Sequence, residues 1–223
     1  MTKFFNSVIT TLLISTTSAF AQVENNIEKP NTNPPINMES MAGSRGVMFQ
    51  LLVNKKFQSI PKLGFFSVTN ATAAWEKEMT PNIMTQAHFT YNLFKGLDLS
   101  SGMQYTPVYG FRPVAGLIYS YATQDILIIL NPKVDLADDL ATESLALLEY
   151  KPKINDKLNF YSRLQGMYGF IPESGIHNRS YIMLRAGLGY KEFAFGAASN
   201  FDWYGPIKHN ENNFGVFVSA LLF

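Results

Sequence analysis

The chain has 223 residues and a formal net charge of +1; 47% of its residues are hydrophobic and 14% aromatic, and it contains no cysteine. That length suits one sizeable domain. The missing thiols exclude disulfide scaffolds, thiolate metal sites and cysteine nucleophiles, and the near-neutral charge gives no field that would draw in nucleic acid.

The first element is a leader. Lys3 supplies a positive start, Val8 to Ile14 a short apolar core, and Ala19-Phe20-Ala21 a small-residue cleavage site, so residues 1–21 read as a secretory signal peptide with Gln22 as the mature start. The apolar run is too short to span a bilayer as a helix, and nothing later approaches the ~18 apolar residues that a spanning helix needs. The longest later apolar island is ILIIL at 126–130, the size of a strand. Residues 22–46 are rich in Asn, Pro and Glu and lack periodicity, which predicts a disordered periplasmic arm. Residues 47–61 fit a short strand, a plug segment or an amphipathic surface piece, and periodicity does not choose among them.

From residue 62 the pattern is regular. Segments of alternating hydrophobicity separated by turn signals predict ten strands: 62–74, 83–94, 97–106, 112–123, 126–134, 143–154, 157–169, 179–190, 193–203 and 213–223. In 193–203, Phe193, Phe195, Ala197, Phe201 and Trp203 share one face, and Ala194, Gly196, Ala198, Asn200 and Asp202 the other. The strands at 83–94, 157–169 and 179–190 divide in the same way. One face suits lipid and the other a polar lumen. Short turns at 95–96, 124–125, 155–156 and 191–192 alternate with longer connections near 75–82, 107–111, 135–142, 170–178 and 204–212. These features predict an all-β fold, a transmembrane antiparallel up-and-down barrel of about ten strands over 62–223, with eight or twelve as alternative counts. Twelve requires 47–61 to pair with a further short strand. The strand at 213–223 is expected to close the barrel against 62–74, with Val216, Val218, Ala220 and Leu222 facing inward.

Tyr91, Phe94, Tyr105, Tyr150, Phe170, Tyr190, Trp203 and Phe223 fall near strand ends, where barrels carry aromatic girdles. The chain closes on GVFVSALLF, with Phe217, Leu221 and Phe223 at alternate positions and Ser219 as a weak member. This ending resembles the C-terminal insertion signal of bacterial outer-membrane β-barrel proteins. The resemblance implies a porin-like barrel in a Gram-negative outer membrane, delivered after cleavage near Ala21 and read by the barrel-assembly machinery. It implies outer-membrane lipid as the surroundings and leaves room for a periplasmic or membrane protein partner. It implies no function, since porins, enzymes, adhesins and structural barrels share the signal.

Charged and polar residues recur on the inward faces of neighbouring strands: Glu149 and Lys151, then Arg163 and Gln165, then Arg179 and Arg185, then Asn200 and Asp202. Adjacent strands lie about 5 Å apart, so these groups can meet as a lumen polar network. The network fits a structural filling of a narrow barrel or a polar pathway for a small solute. Outer-membrane phospholipases and lipid A deacylases carry a His-x-Ser pair. Here the nearest candidates, His177 and Ser180, are three residues apart, which puts them on opposite faces of an extended segment. Omptin proteases, whose architecture resembles this one, need an Asp-x-His that the sequence lacks; Asp138-Asp139 and the loop histidines His177 and His209 are the only partial matches. No catalytic motif, metal set or cofactor follows. The expected role is structural or interactive, with a narrow solute channel and a lipid- or peptide-hydrolysing surface enzyme as the alternatives.

Overall fold

The computed structural model describes residues 33–76, 82–137 and 139–223. The leader and the first part of the expected arm lie outside these residues. Within them the alternation of apolar and polar residues builds twelve antiparallel strands: β1 (Ile36–Gly43), β2 (Gly46–Phe57), β3 (Ile60–Ala74), β4 (Asn82–Phe94), β5 (Leu97–Thr106), β6 (Gly110–Ala122), β7 (Ile126–Asp135), β8 (Thr142–Tyr150), β9 (Leu158–Ile171), β10 (Ile176–Tyr190), β11 (Phe193–Tyr204) and β12 (His209–Leu222). Each pairs with its chain neighbours, and β12 pairs with β1, so the sheet is a closed barrel. Closure leaves no free edge, which lets a sheet sit in lipid with every ladder bond made.

The fold class is as the sequence predicts, and the count is twelve rather than ten. The two extra strands come from residues expected as arm and uncertain segment. Residues 36–43 are β1, not disordered, and 46–57 are β2. Their pairing runs from Ala42↔Val47 to Asn37↔Leu52 through the two-residue turn Ser44-Arg45. Consequently β12 closes on β1, Ile36↔Leu222 to Gly43↔Gly215, and not on the strand that begins near residue 62. The final strand also has the opposite phase to that expected. Phe217 and Ser219 are buried inside, while Val216 and Val218 face out at 63% and 51% exposure. Both faces of this strand are apolar, so alternation alone could not choose. The choice is made by Phe217, which packs at 5.5 Å from the Tyr161 ring. The connections are less regular than expected too. The start of β1 and the end of β12 lie at one end, which carries turns 58–59, 95–96, 123–125 and 191–192 but also a seven-residue stretch, 151–157, after β8 stops at Tyr150. The opposite, loop end carries 44–45, 75–76, 107–109, 136–137, 139–141, 172–175 and 205–208 among the described residues.

The barrel is apolar outside and charged inside. Phe89, Phe195, Leu164, Leu184 and Val216 are exposed on the outer wall. Glu39, Gln50, His88, Glu149, Arg163 and Arg185 are buried within. Two inward apolar clusters share that space. One gathers Met41, Met48, Met84, Met167, Met183, Tyr161, Tyr181 and Phe217; the other gathers Leu52, Phe66, Val68, Ile118, Ile129 and Leu147 from β2, β3, β6, β7 and β8. Close strand approach is set by glycine. Gly187 and Gly196 face each other across β10 and β11, and a Cβ on either would meet the opposing backbone oxygen at 2.0 or 2.2 Å.

Candidate functional site

The lumen is organised around one carboxylate. Glu39 projects inward from β1 and is fully buried, and its two oxygens divide between two arginines from the far side of the sheet. Arg185 Nε donates to Oε1 at 2.8 Å, and Arg163 Nη2 lies 2.8 Å from Oε2. Arg185 is further held by Asn200 Oδ1 and the Leu184 carbonyl, each at 2.8 Å, and it sits over the Phe217 ring. The Arg163 contact is an ion pair with poor hydrogen-bond alignment, and Arg163 Nε has no hydrogen-bond partner. A charge taken out of water needs an opposite charge beside it. One carboxylate between two guanidiniums meets that need, and Glu149, the cross-strand partner of Arg163, adds a second negative charge beside it.

The remaining predicted network residues all point inward, in separate clusters rather than one. Toward the terminal end Glu149 pairs with Lys151 at 2.6 Å and accepts from the Tyr161 hydroxyl at 2.8 Å. Gln165 donates to the Tyr181 hydroxyl at 3.2 Å. Toward the loop end Arg179 pairs with Asp202 at 2.8 Å and lies over the rings of Tyr181 and Tyr204.

Sequence reasoning missed Glu39, which lay in the segment read as an arm, and with it the group that joins Arg163 to Arg185. It also missed Lys133 with Glu143 and Gln104, Arg112 with Asp135 and Asp139, and Lys56 with Asp98. A signal for Glu39 was present. QLLVNKKF in 50–57 needs a partner strand, and within 36–43 Glu39 and Met41 share a face.

Cavities lie at the two mouths. One of about 270 Å3 at the loop end is bordered by Tyr109, Arg112, Glu143, Arg179 and Tyr204. At the terminal end, one of about 300 Å3 is bordered by Pro34, Asn54, Lys56, Ile129 and Lys151, and another of about 200 Å3 by Lys153, Asn159 and Lys191. The two ends share no lining residue. Between them sit side chains almost without exposure: Met41, Met48, Phe66, Val68, Gln165 and Tyr181. Several polar atoms in this middle layer have no protein partner, among them Gln50 Oε1, Asn70 Nδ2, His88 Nδ1, Ser100 Oγ and Asn131 Oδ1.

The histidines correct the spacing argument. His177 lies in β10, not in a loop, and the β9–β10 register shifts between His177 and Arg179. A bulge takes up one residue, so His177, opposite Phe170, and Ser180, opposite Tyr168, share the outward face. His177 Nε2 is 2.9 Å from Ser180 Oγ, and Nδ1 is 2.7 Å from the Gly205 carbonyl. His209 lies apart, exposed and near Glu211 at 3.7 Å. Asp139 is bound to Arg112, and Asp138 falls outside the described residues. Of the insertion-signal residues, Phe217 faces the lumen, Leu221 is half-buried and Phe223 is 89% exposed.

No family model matches the chain. No curated protein matches it. Among solved structures it is similar to the NanC porin, with 12% identity, 85% of this chain and 100% of that one covered, and a TM-score of 0.47. It is similar to the KdgM porin in complex with disordered oligogalacturonate, with 12% identity, coverage of 83% and 97%, and a TM-score of 0.43. OpdL of Pseudomonas aeruginosa follows with 12% identity, coverage of 78% and 66%, and a TM-score of 0.38. All three TM-scores lie below 0.5, and neither fold nor activity is carried across from these proteins.

Proposed function

We propose that the protein is an integral β-barrel of the bacterial outer membrane whose lumen is a packed, ion-paired core, and that its role is structural or interactive rather than bulk transport. The observation that carries this reading is the Glu39–Arg163–Arg185 cluster, fully buried at mid-lumen and flanked by the Met and Phe66 clusters. Twelve strands could enclose a wider passage than eight, whose interior side chains just fill, yet these side chains occupy the middle. The apolar outer wall around a charged interior supports a lipid setting. The even strand count leaves the start of β1 and the end of β12 on one side, which suits periplasmic termini, a leader cleaved near Ala21, and recognition of Leu221 and Phe223 by the barrel-assembly machinery. A periplasmic or membrane protein partner would meet the terminal end, where the mouth carries Lys56, Lys151 and Lys191.

A second reading, a narrow channel for small solutes, is favoured by the unpartnered polar atoms of the middle layer, which would bind water along a path. Planar bilayers separate the two. The refolded protein is expected to give no steady conductance, and Arg163→Ala with Arg185→Ala to give salt-dependent openings. Steady pores from the unaltered protein overturn the packed-core reading.

A further inference from the structure

We infer that the outer wall of the barrel carries a nucleophilic serine, Ser180, with His177 as its base, directed at ester-linked acyl chains of membrane lipid. The inference rests on the membrane-barrel reading for its substrate but on local geometry for its chemistry.

The hydrogen bonds around His177 decide its tautomer. The Gly205 carbonyl can only accept, so the 2.7 Å contact requires the proton on Nδ1. In the neutral ring Nε2 then holds a lone pair, and at 2.9 Å the Ser180 hydroxyl donates to it. This is the state in which an imidazole takes a proton from a serine as it attacks. The Gly205 carbonyl is itself held. The Gly205 N–H donates to the Asn178 carbonyl at 2.7 Å, and the Lys208 N–H donates to the Gly205 oxygen at 3.1 Å. Gly205 has φ of +67°, a conformation that glycine adopts without strain. The turn at 205–208 therefore orients the base through a backbone oxygen, the place a carboxylate or amide takes in a triad.

Placement supplies the substrate class. His177 is buried beneath the Tyr168 ring, at 5.5 Å between centroids, while Ser180 is half-exposed on the outer wall. Tyr168 and Trp203 are the Cα partners of Ser180 on either side. Tyr and Trp belts mark headgroup depth; the ester bonds of a lipid lie between its headgroup and its tails. Ile182 and Leu184 follow Ser180 on the same outward face and are exposed, an apolar track for a chain running down the wall.

The reaction balances with water alone. Ser180 Oγ bonds to the ester carbonyl carbon as its proton passes to His177 Nε2. The C–O bond to the lipid alcohol breaks, and the alcohol leaves with that proton. Water then gives a proton to Nε2 as its oxygen bonds to the acyl carbon; the acyl–Oγ bond breaks, the Nε2 proton returns to Ser180 Oγ, and a fatty acid leaves.

The test uses the full chain refolded into vesicles, with flotation as a separate check of membrane insertion. A fluorophosphonate probe is expected to label Ser180, located by peptide mass. Fatty acid is expected to be released from phosphatidylethanolamine vesicles if phospholipid is the source, or from vesicles containing lipid A if that is. Ser180→Ala should abolish labelling and lower release by about 100-fold or more. His177→Gln, which retains a donor for Gly205, should lower both while flotation and circular dichroism stay unchanged. Inserted protein that neither takes the probe at Ser180 nor releases acid from either lipid overturns the inference, as does release that survives Ser180→Ala. Protein that fails to float but is labelled at Ser180 in detergent overturns the membrane reading and keeps the nucleophile.

Discussion

Replacing Glu39 by alanine tests the centre of the lumen. The carboxylate has no exposure and bonds Arg185 and Arg163, each at 2.8 Å. Its removal leaves two guanidiniums facing each other in a closed interior, with Glu149, cross-strand from Arg163 and already paired with Lys151, as the carboxylate left nearby. Arg185 retains Asn200 Oδ1 and two backbone carbonyls, but Arg163 Nε and Nη2 retain no hydrogen bond at all. Breaking a buried pair on one side costs about 3–5 kcal/mol, most of it the uncompensated charge. Glu39→Gln keeps an acceptor for Arg185 but leaves the cations as uncompensated as alanine does, so it should recover only about 0.5–1.5 kcal/mol of the alanine loss, the worth of one neutral hydrogen bond. The decisive variant is the pair Glu39→Ala with Arg163→Met. Removing one orphaned cation by an apolar side chain of similar length should restore part of the loss, giving a coupling of about 0.5–3 kcal/mol. Urea unfolding of the refolded barrel in micelles reads all of these as midpoint shifts at constant m-value. A Glu39→Ala loss below ~1 kcal/mol, with additive behaviour of the double variant, refutes the claim that this carboxylate anchors the core.

Phe66→Ala should cost about 3–5 kcal/mol by the same measurement, because Phe66 is fully buried against Leu52, Ile118 and Leu147 across the lumen; a loss near zero would mean the cluster collapses or is wet. Gly196→Val should block assembly of the heat-resistant folded form on a gel, since even a Cβ there would lie 2.2 Å from the Ala186 oxygen, and normal migration would disprove the close approach. The hydrogen bond from Arg112 holds the Asp139 carboxyl below the usual aspartate range. A depressed folded-state pKa contributes stability above about pH 4, lost as acid protonates the group through its lower folded value. Thermal midpoints taken from pH 5 to pH 2 should therefore fall more for the natural protein than for Asp139→Asn, and parallel profiles would contradict the pairing.

The barrel was legible because an apolar outer wall and a polar lumen impose opposite chemistries on alternate residues, and β4, β9, β10 and β11 carry that contrast plainly. It failed where one strand lacked the contrast. In β12, Phe214, Val216 and Val218 face out and Phe217 faces in, with only Ser219 and Asn213 to mark the lumen. The apolar signal was strong on both faces, and the phase followed from packing on Tyr161 that no local pattern records. β1 failed for the opposite reason. INMESMAG alternates poorly, with Ser40 on the outward face and Met41 on the inward one, and follows a Pro- and Asn-rich stretch, so its one buried acid looked like the charge of a tail. Without β1 the lumen network had Glu149 and Asp202 for its other cations but lacked the carboxylate that joins Arg163 to Arg185. Its inward residues could be named, but their grouping could not.

The His177–Ser180 pair shows how a single residue outweighs a spacing rule. Period-two reasoning holds as long as every residue of a strand has one partner. Between His177 and Arg179 the partner strand advances by one residue, from Phe170 to Gly169, while β10 advances by two. Asn178 absorbs the difference, and its carbonyl takes the N–H of Gly205 from the neighbouring turn. That bond and the His177 imidazole act on the same glycine, so bulge and turn support each other. The spacing of three that places histidine and serine on opposite faces of a regular strand places them on one face here. The residues that make this so, Asn178 and Gly205, lie in different hairpins and meet only once β10 pairs with β11.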